Sequence, residues 1–381
     1  MVMTDFQVGS YELGPIRPPN EAYSLLIRVT RNCPWNRCKF CPIYKNDKFQ
    51  LRSVDEIKQD ISTARAIYDK ILELAGESPD NDAVREAAAR VYHDAPNDAC
   101  RNVALWMYAG AKNAFLQDAN TLIMKTPGLV EVIRFFRETF PCIERVTIYA
   151  RSHTAARKKL EELVSLREAG LSRLHIGMES GSDAVLALMD KGVTAADHIT
   201  AGKNVKDSGI SLSEYVMPGA GGKKLWREHA LETARVLNQI DPDIIRLRTL
   251  TIQPRMLLYK DVVSGDFVRS TDEEIVEEIK IFLENLDCTS QIFSDHMMNL
   301  LPEIEGKLPD DKERFLEIIR IFQALPQHER DIYKLGRRLA IYDKLKDLDD
   351  RARRTEVESV LSQIKPDELD EVLFKLMERY V

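Results

Sequence analysis

Strand-like and helix-like segments alternate along the middle of this chain, and that alternation restricts it to a small set of folds. An apolar run from Leu25 to Thr30 reads as a buried first strand. Ser53-Val-Asp-Glu56 opens a helix towards Ala75, with serine and glutamate spaced to satisfy free backbone N–H groups. Four strand–helix pairs follow. Their strands are Asn113 to Leu116, Arg145 to Tyr149, Arg173 to Gly177 and Ser211 to Met217. Their helices are Pro127 to Phe140, Ala155 to Ala169, the pair Asp183 to Met189 and Ala195 to Ser208, and Leu225 to Gln239. A sixth strand spans Ile244 to Ile252. From the second strand onward the repeat is about thirty residues, the size of one βα unit. Six units predict an α/β chain built as a partial (β/α)6 TIM-type barrel, with working groups at the C-terminal strand ends. A doubly wound sheet is the rival, but it would carry a glycine-rich phosphate loop after strand one, where this chain has cysteines.

Residues 76 to 100 form a polar, helix-prone excursion that reads as an insertion. Beyond residue 265 the pattern turns to helices without strands. The expected division is therefore a barrel over residues 1–265 and a helical C-terminal region over 266–381. The tail mixes both charge signs, as a solvated helix face does.

Three of the six cysteines, Cys33, Cys38 and Cys41, lie within the loop after strand one, in Cys-Pro-Trp-Asn-Arg-Cys-Lys-Phe-Cys. Three closely spaced thiolates can hold three irons of a [4Fe–4S] cube and leave the fourth iron open to a small molecule. A zinc site or unrelated thiols are the alternatives. Zinc would want a fourth ligand at comparable spacing, and the nearest histidine, His93, is far along the chain. Cys100, Cys142 and Cys288 are isolated and read as small core residues.

The spacing C-x4-C-x2-C, with aromatic Phe40 before the last cysteine, resembles the radical S-adenosylmethionine (SAM) superfamily. Most members have a loop one residue shorter. A second stretch, Gly177-Met-Glu-Ser-Gly-Ser-Asp183, resembles the branch of oxygen-independent coproporphyrinogen oxidases, methylthiotransferases and the Elongator radical-SAM subunit. The resemblance covers roughly residues 20 to 300. It implies that Cys33, Cys38 and Cys41 ligate the cluster, that Phe40 steadies the adenine, that Glu179 helps bind SAM and that Lys191 faces its carboxylate. It also sets Asp118, after strand two, where the SAM amino group is received. Arg151, after strand three, falls where a residue can border the SAM pocket, although packing or a surface role fits it equally.

Along strand five, Ser213 and Tyr215 point one way and Leu212, Glu214 and Val216 the other, and the sequence leaves open which set faces inward. Glu214 is the cofactor-facing candidate; Tyr215 and Arg248 are the catalytic candidates. Arg246 and Arg248 would share one strand face and, if inward, bind an acidic substrate; pairing with a barrel carboxylate such as Glu214 is the alternative. A lone histidine, His296, reads as structural before it reads as a proton donor.

These parts imply an oxygen-sensitive enzyme with two cofactors, a [4Fe–4S] cluster and SAM. An electron from a flavodoxin- or ferredoxin-like donor would cleave SAM, and the resulting 5′-deoxyadenosyl radical would abstract hydrogen from a small, perhaps anionic, substrate. No further cysteine trio suggests a second cluster, and the chain has no room for an acetyltransferase domain or a cobalamin domain before the barrel. A haem or metal chaperone that keeps the cluster, and a cluster-bearing sensor, are the alternatives. The first would bind haem without SAM cleavage; the second would not bind SAM. A net charge of −7 argues against nucleic acid. No apolar run approaches the roughly 20 residues of a membrane span, and no signal-peptide pattern opens the chain, so a cytoplasmic location is expected.

Overall fold

A computed structural model describes residues 8–380. They fall into two compact units. The first comprises residues up to Asn36, then Ile43–Ile176 and Lys203–Leu212; the second comprises Arg37–Pro42, Gly177–Gly202 and residues from Ser213 onward.

In the first unit β1 (Leu25–Arg28) is buried at every position. It leads into a short antiparallel ribbon of β2 (Thr30–Arg31) and β3 (Gln50–Leu51), so residues 32–49 leave and return through one narrow neck. Helix α1 (Val54–Ala75) starts with the expected capping box, the Ser53 hydroxyl accepting from the Glu56 N–H and the Glu56 carboxylate from the Ser53 N–H. The excursion after it is helical, as its helix-prone sequence suggests. Two helices stand there, α2 (Asn81–Asp94) and α3 (Asp98–Tyr108), capped by Asp80 and Asn97. Both pack on α1, burying Ala87, Ala88, Val91, Val103 and Trp106.

The βα alternation then runs through β4 (Asn113–Gln117), α4 (Thr126–Thr139) and β5 (Arg145–Ala150). The single helix expected over 155–169 is two, α5 (Ser152–Ala155) and α6 (Leu160–Ala169). Lys159 between them is extended, and its N–H is held by the Glu162 carboxylate at 3.0 Å, which restarts the helix.

Strand β6 (Leu171–Glu179) is longer than predicted at both ends, so Glu179 is its last residue rather than part of the following loop. Next come α7 (Asp183–Leu188), α8 (Ala195–Asp207), β7 (Ser211–Val216) and α9 (Gly222–Ile240). Strand β8 is only Ile244–Leu247. It stops early because the Asn299 side chain takes over its hydrogen bonds, accepting from the Thr249 N–H at 3.0 Å and donating to the Leu247 carbonyl at 2.8 Å. Arg246 and Arg248 therefore do not share a strand face: Arg246 is in the strand and buried, Arg248 lies past it and is exposed.

Helices α10 (Leu258–Ser264) and α11 (Asp272–Glu284) precede two strands that the sequence did not reveal, β9 (Gln291–Phe293) and β10 (Gly306–Lys307). Segments of three and two residues are too short to show a period of two. Helices α12 (Lys312–Ala324), α13 (Gln327–Arg338), α14 (Arg351–Leu361) and α15 (Leu369–Met377) end the second unit.

The main sheet has eight strands in the order β1-β4-β5-β6-β7-β8-β9-β10, with β6 contributing residues to both units. Pairs β1–β4, β4–β5, β5–β6, β7–β8 and β8–β9 are parallel, and β10 closes antiparallel on β9. A doubly wound sheet reverses its strand order at a switch point. Here each strand lies beside the next without reversal, which is the progression of the expected α/β partial TIM-type barrel.

Candidate functional site

The cysteine loop is shaped by asparagines. Asn32 and Asn36 have positive φ (67° and 49°), a conformation asparagine tolerates better than most residues, and so bend the chain on both sides of Cys33. The Asn32 side chain donates to the Lys48 carbonyl at 2.7 Å, and that of Asn36 donates to the Tyr44 carbonyl. The Asn36 N–H points at the Cys33 Sγ at 3.4 Å. Cys33 belongs to the first unit, Cys38 and Cys41 to the second. The described cysteines form no disulfide. Among the described residues, no group of three or more His, Cys, Asp or Glu side chains is arranged so that it could hold a metal ion. The donor chemistry nonetheless suits iron: three half-buried thiols in one loop, one already receiving an N–H.

In the first unit Asp118 is fully buried just past β4. Its carboxylate is held by the Arg28 guanidinium at 2.8 and 3.1 Å and by the Tyr44 hydroxyl. Burial pushes the Asp118 carboxyl up, against the pull of Tyr44 and Arg28. Arg28 also reaches Glu12 at 2.6 Å and Asn32 at 3.1 Å, so one ionic network spans the segment before β1, the strand and the cysteine loop. Tyr44 stands three residues after Cys41, and that position was its one signal in the sequence. The Arg151 guanidinium lies over the Trp35 ring, 5.0 Å from its centroid. Asn120 accepts from the Arg151 N–H at 3.0 Å and donates to Thr154 at 2.8 Å, so it fixes the turn into α5.

In the second unit the segment with Cys38 and Cys41 docks by its backbone. The Lys39 N–H donates to the Met189 carbonyl at 2.9 Å, and its carbonyl accepts from the Leu258 N–H at 3.0 Å. Two ion pairs flank it, Lys39 with Asp261 at 2.6 Å and Arg37 with Asp190 at 3.3 Å. Phe40 packs against an apolar cluster that includes Met189, Met217, Ile252 and Phe267.

The Lys191 ammonium stands 5.4 Å from the Phe40 ring centroid and 2.9 Å from the Glu179 carboxylate. Glu179 folds back over its own strand, which Gly177 permits: a Cβ there would meet Glu179 Oε1 at 2.4 Å. Glu214 on β7 is fully buried, and neither carboxylate oxygen has a hydrogen-bond partner. Burial pushes its carboxyl well above the usual range; the charge of Glu179 adds to the rise and Lys191 opposes it. Three of the expected residues, Glu179, Lys191 and Glu214, thus form one electrostatic group.

Register sets Tyr215 beside Arg246 on β8 and Arg246 beside Phe293 on β9. Arg246 pairs with Asp295 at 2.5 Å and lies 4.4 Å from the Phe293 ring centroid, so its carboxylate partner is Asp295 rather than Glu214. Burial, with Arg248 nearby, lowers the His296 pKa to about 4, and its Nδ1 accepts from the Met298 N–H at 3.3 Å. It is a neutral acceptor near pH 7. No helix among the described residues is long and apolar enough to cross a membrane.

The profile of the radical SAM superfamily matches residues 27–234. Over 139 residues the chain is 26% identical to the tRNA uridine(34) acetyltransferase of Methanocaldococcus infernus, a match over 36% of this chain and 24% of that protein. Over 225 residues it is 27% identical to the tRNA-2-methylthio-N(6)-dimethylallyladenosine synthase of Syntrophus aciditrophicus, covering 56% of this chain and 45% of the relative. The chain thus spans less than half the length of either curated relative. Among solved structures, coproporphyrinogen III oxidase (HemN) from Escherichia coli aligns with a TM-score of 0.44 at 16% identity, covering 68% of this chain and 52% of that one.

Proposed function

The chain belongs to the radical SAM superfamily, and from that premise we propose that it cleaves SAM reductively and uses the radical to abstract hydrogen from a small, anionic substrate. Radical SAM enzymes use a [4Fe–4S] cluster and SAM; when bound, these supply a 5′-deoxyadenosyl radical by one-electron reduction. Cys33, Cys38 and Cys41 are the proposed ligands of the cube. The Asn32, Asn36 and Tyr44 contacts hold the loop in shape for it. Asp118 contributes by anchoring Tyr44 and Arg28, which keep that loop on β1 and β4.

The observation that carries the SAM assignment is the group Glu179, Lys191 and Glu214. Two orphaned oxygens on a buried carboxylate are costly unless a ligand supplies donors, and ribose hydroxyls are donors of the right kind. Lys191 offers the charge a SAM carboxylate needs, and Phe40 beside it offers a face for adenine. Arg151 over Trp35 is the proposed border of the pocket in the first unit. Tyr215 and Arg248 are assigned to the substrate, Tyr215 in register with Arg246, and Arg248 as an exposed cation beyond β8. A flavodoxin- or ferredoxin-like protein is the proposed donor, in the cytoplasm. The names of both curated relatives contain tRNA, so RNA joins small anions in the substrate test.

The test is iron content and EPR of anaerobically reconstituted, reduced protein with and without SAM. Four irons and a signal that shifts when SAM is added support the proposal. A bound cluster whose signal ignores SAM favours a sensor, and stoichiometric haem binding without SAM cleavage favours a chaperone.

A further inference from the structure

We propose that His229 is a positioning residue for Glu179, acting through the Met217 carbonyl; the proposal rests on the assignment of Glu179 to SAM. Glu179 sits at φ +65°, a left-handed backbone that a non-glycine residue keeps only where its surroundings enforce it. The enforcement is a chain of contacts. The Glu179 carbonyl accepts from the Met217 N–H at 2.9 Å. The Met217 carbonyl in turn lies 3.0 Å from Nε2 of His229. The other ring nitrogen, Nδ1, lies 2.9 Å from the hydroxyl of Ser180, the residue after Glu179.

A carbonyl can only accept, so Nε2 carries the proton and Nδ1 presents its lone pair. One neutral imidazole on α9 therefore grips the ends of both β6 and β7. Burial agrees with that state, lowering the His229 pKa to about 4. Thr233, one turn along α9, accepts from the Gly181 N–H at 2.9 Å. Gly181 itself can only be glycine: a Cβ there would meet the Glu232 carbonyl oxygen at 2.4 Å. From α11, Glu278 accepts from the Gly219 N–H at 2.9 Å and stands 3.5 Å from Nε2. Serine, histidine and glutamate are the parts of a hydrolytic triad. Ser180, His229 and Glu278 are each no more than 2% exposed, so no substrate reaches them and their work is to hold position.

The experiment measures SAM affinity and iron content of the full, anaerobically reconstituted chain. His229→Gln keeps an N–H near the Nε2 position, and His229→Asn keeps an acceptor near Nδ1 but abandons Met217. His229→Asn is expected to weaken SAM binding about tenfold at unchanged iron content, and His229→Gln less than about threefold. In a Glu179→Ala background His229→Asn should cost nothing further. Wild-type affinity in His229→Asn, or an equal loss with and without Glu179, overturns the proposal. Should His229→Asn not fold, Ser180→Ala replaces it; it removes one of the two hydroxyls at Nδ1, leaving that of Thr233 at 3.1 Å, and its expected loss of about threefold must likewise vanish in the Glu179→Ala background, or the proposal falls. Unchanged affinity in Glu179→Ala alone refutes the assignment of Glu179 instead, and the proposal with it.

Discussion

Lys191 Nζ lies 2.9 Å from the carboxylate of Glu179, and both side chains are largely withdrawn from water. In low dielectric such a pair is strong but keeps a cost of desolvation, which a zwitterionic ligand lowers by offering each charge a second partner. SAM carries an ammonium and a carboxylate on one carbon. The role proposed for the pair is to open towards that ligand.

Removing the acid tests this directly. Glu179→Ala should weaken SAM binding by about ten- to a hundredfold, the span expected when a charge-assisted hydrogen bond is lost. Iron content and visible absorption should not change, because Glu179 connects to the cysteine loop through Lys191 and the Phe40 ring and is not itself a proposed ligand of the cube. Titration of SAM into the reconstituted variant measures the loss.

Asp118→Ala should be costly before any cofactor is added. It strips Arg28 of its buried partner and Tyr44 of its acceptor. The expected destabilisation is about 3 kcal/mol, the low end for breaking a buried pair. Denaturant unfolding of the cluster-free protein reports it. Iron uptake should fall too, since Tyr44 closes the loop that begins at Cys33.

Gly181→Ala should destabilise by about 1–3 kcal/mol through overpacking against α9. Gly76→Ala is the control: its φ of 105° is strained for alanine, but no atom lies near its Cβ. Gly181 has no left-handed φ, so a lower melting temperature there reports contact, whereas one in Gly76→Ala reports backbone preference.

Stability should depend on pH in two windows of opposite sign. Glu278 is raised from 4.5 to about 8 by burial, so the folded chain holds a proton that the unfolded chain gives up. The stability this group contributes is fully present below 4.5 and is lost as pH rises through about 8. His229 is lowered from 6.5 to about 4 by burial, so its contribution is present above 6.5 and lost as pH falls through about 4. Glu278→Gln should flatten the alkaline side of a melting-temperature profile and His229→Gln the acid side.

Much of this was legible in the sequence because two signals are local. The βα period showed the sheet, and the cysteine spacing with Gly177-Met-Glu-Ser-Gly pointed to the superfamily whose profile matches residues 27–234. Glu179, Lys191 and Glu214, far apart in sequence, do share one electrostatic group. The failures have local causes as well. β9 and β10 are too short to alternate, and β8 ends where an asparagine fifty residues on replaces its partner strand. His229 could not be found from sequence: a histidine on an amphipathic helix gives no sign that its ring will meet the ends of two strands. Nor did anything before the fold show that Asp118 would spend its carboxylate on Arg28 and Tyr44.

The central claim is that three cysteines of one loop support SAM cleavage. The most direct measurement is 5′-deoxyadenosine released from SAM after dithionite reduction, by wild type and by Cys38→Ala, each reconstituted without oxygen. Slow release by wild type, with neither release nor cluster absorption in Cys38→Ala, is the predicted result. A full cluster in wild type with no deoxyadenosine, or deoxyadenosine from Cys38→Ala at the wild-type rate, would contradict the account.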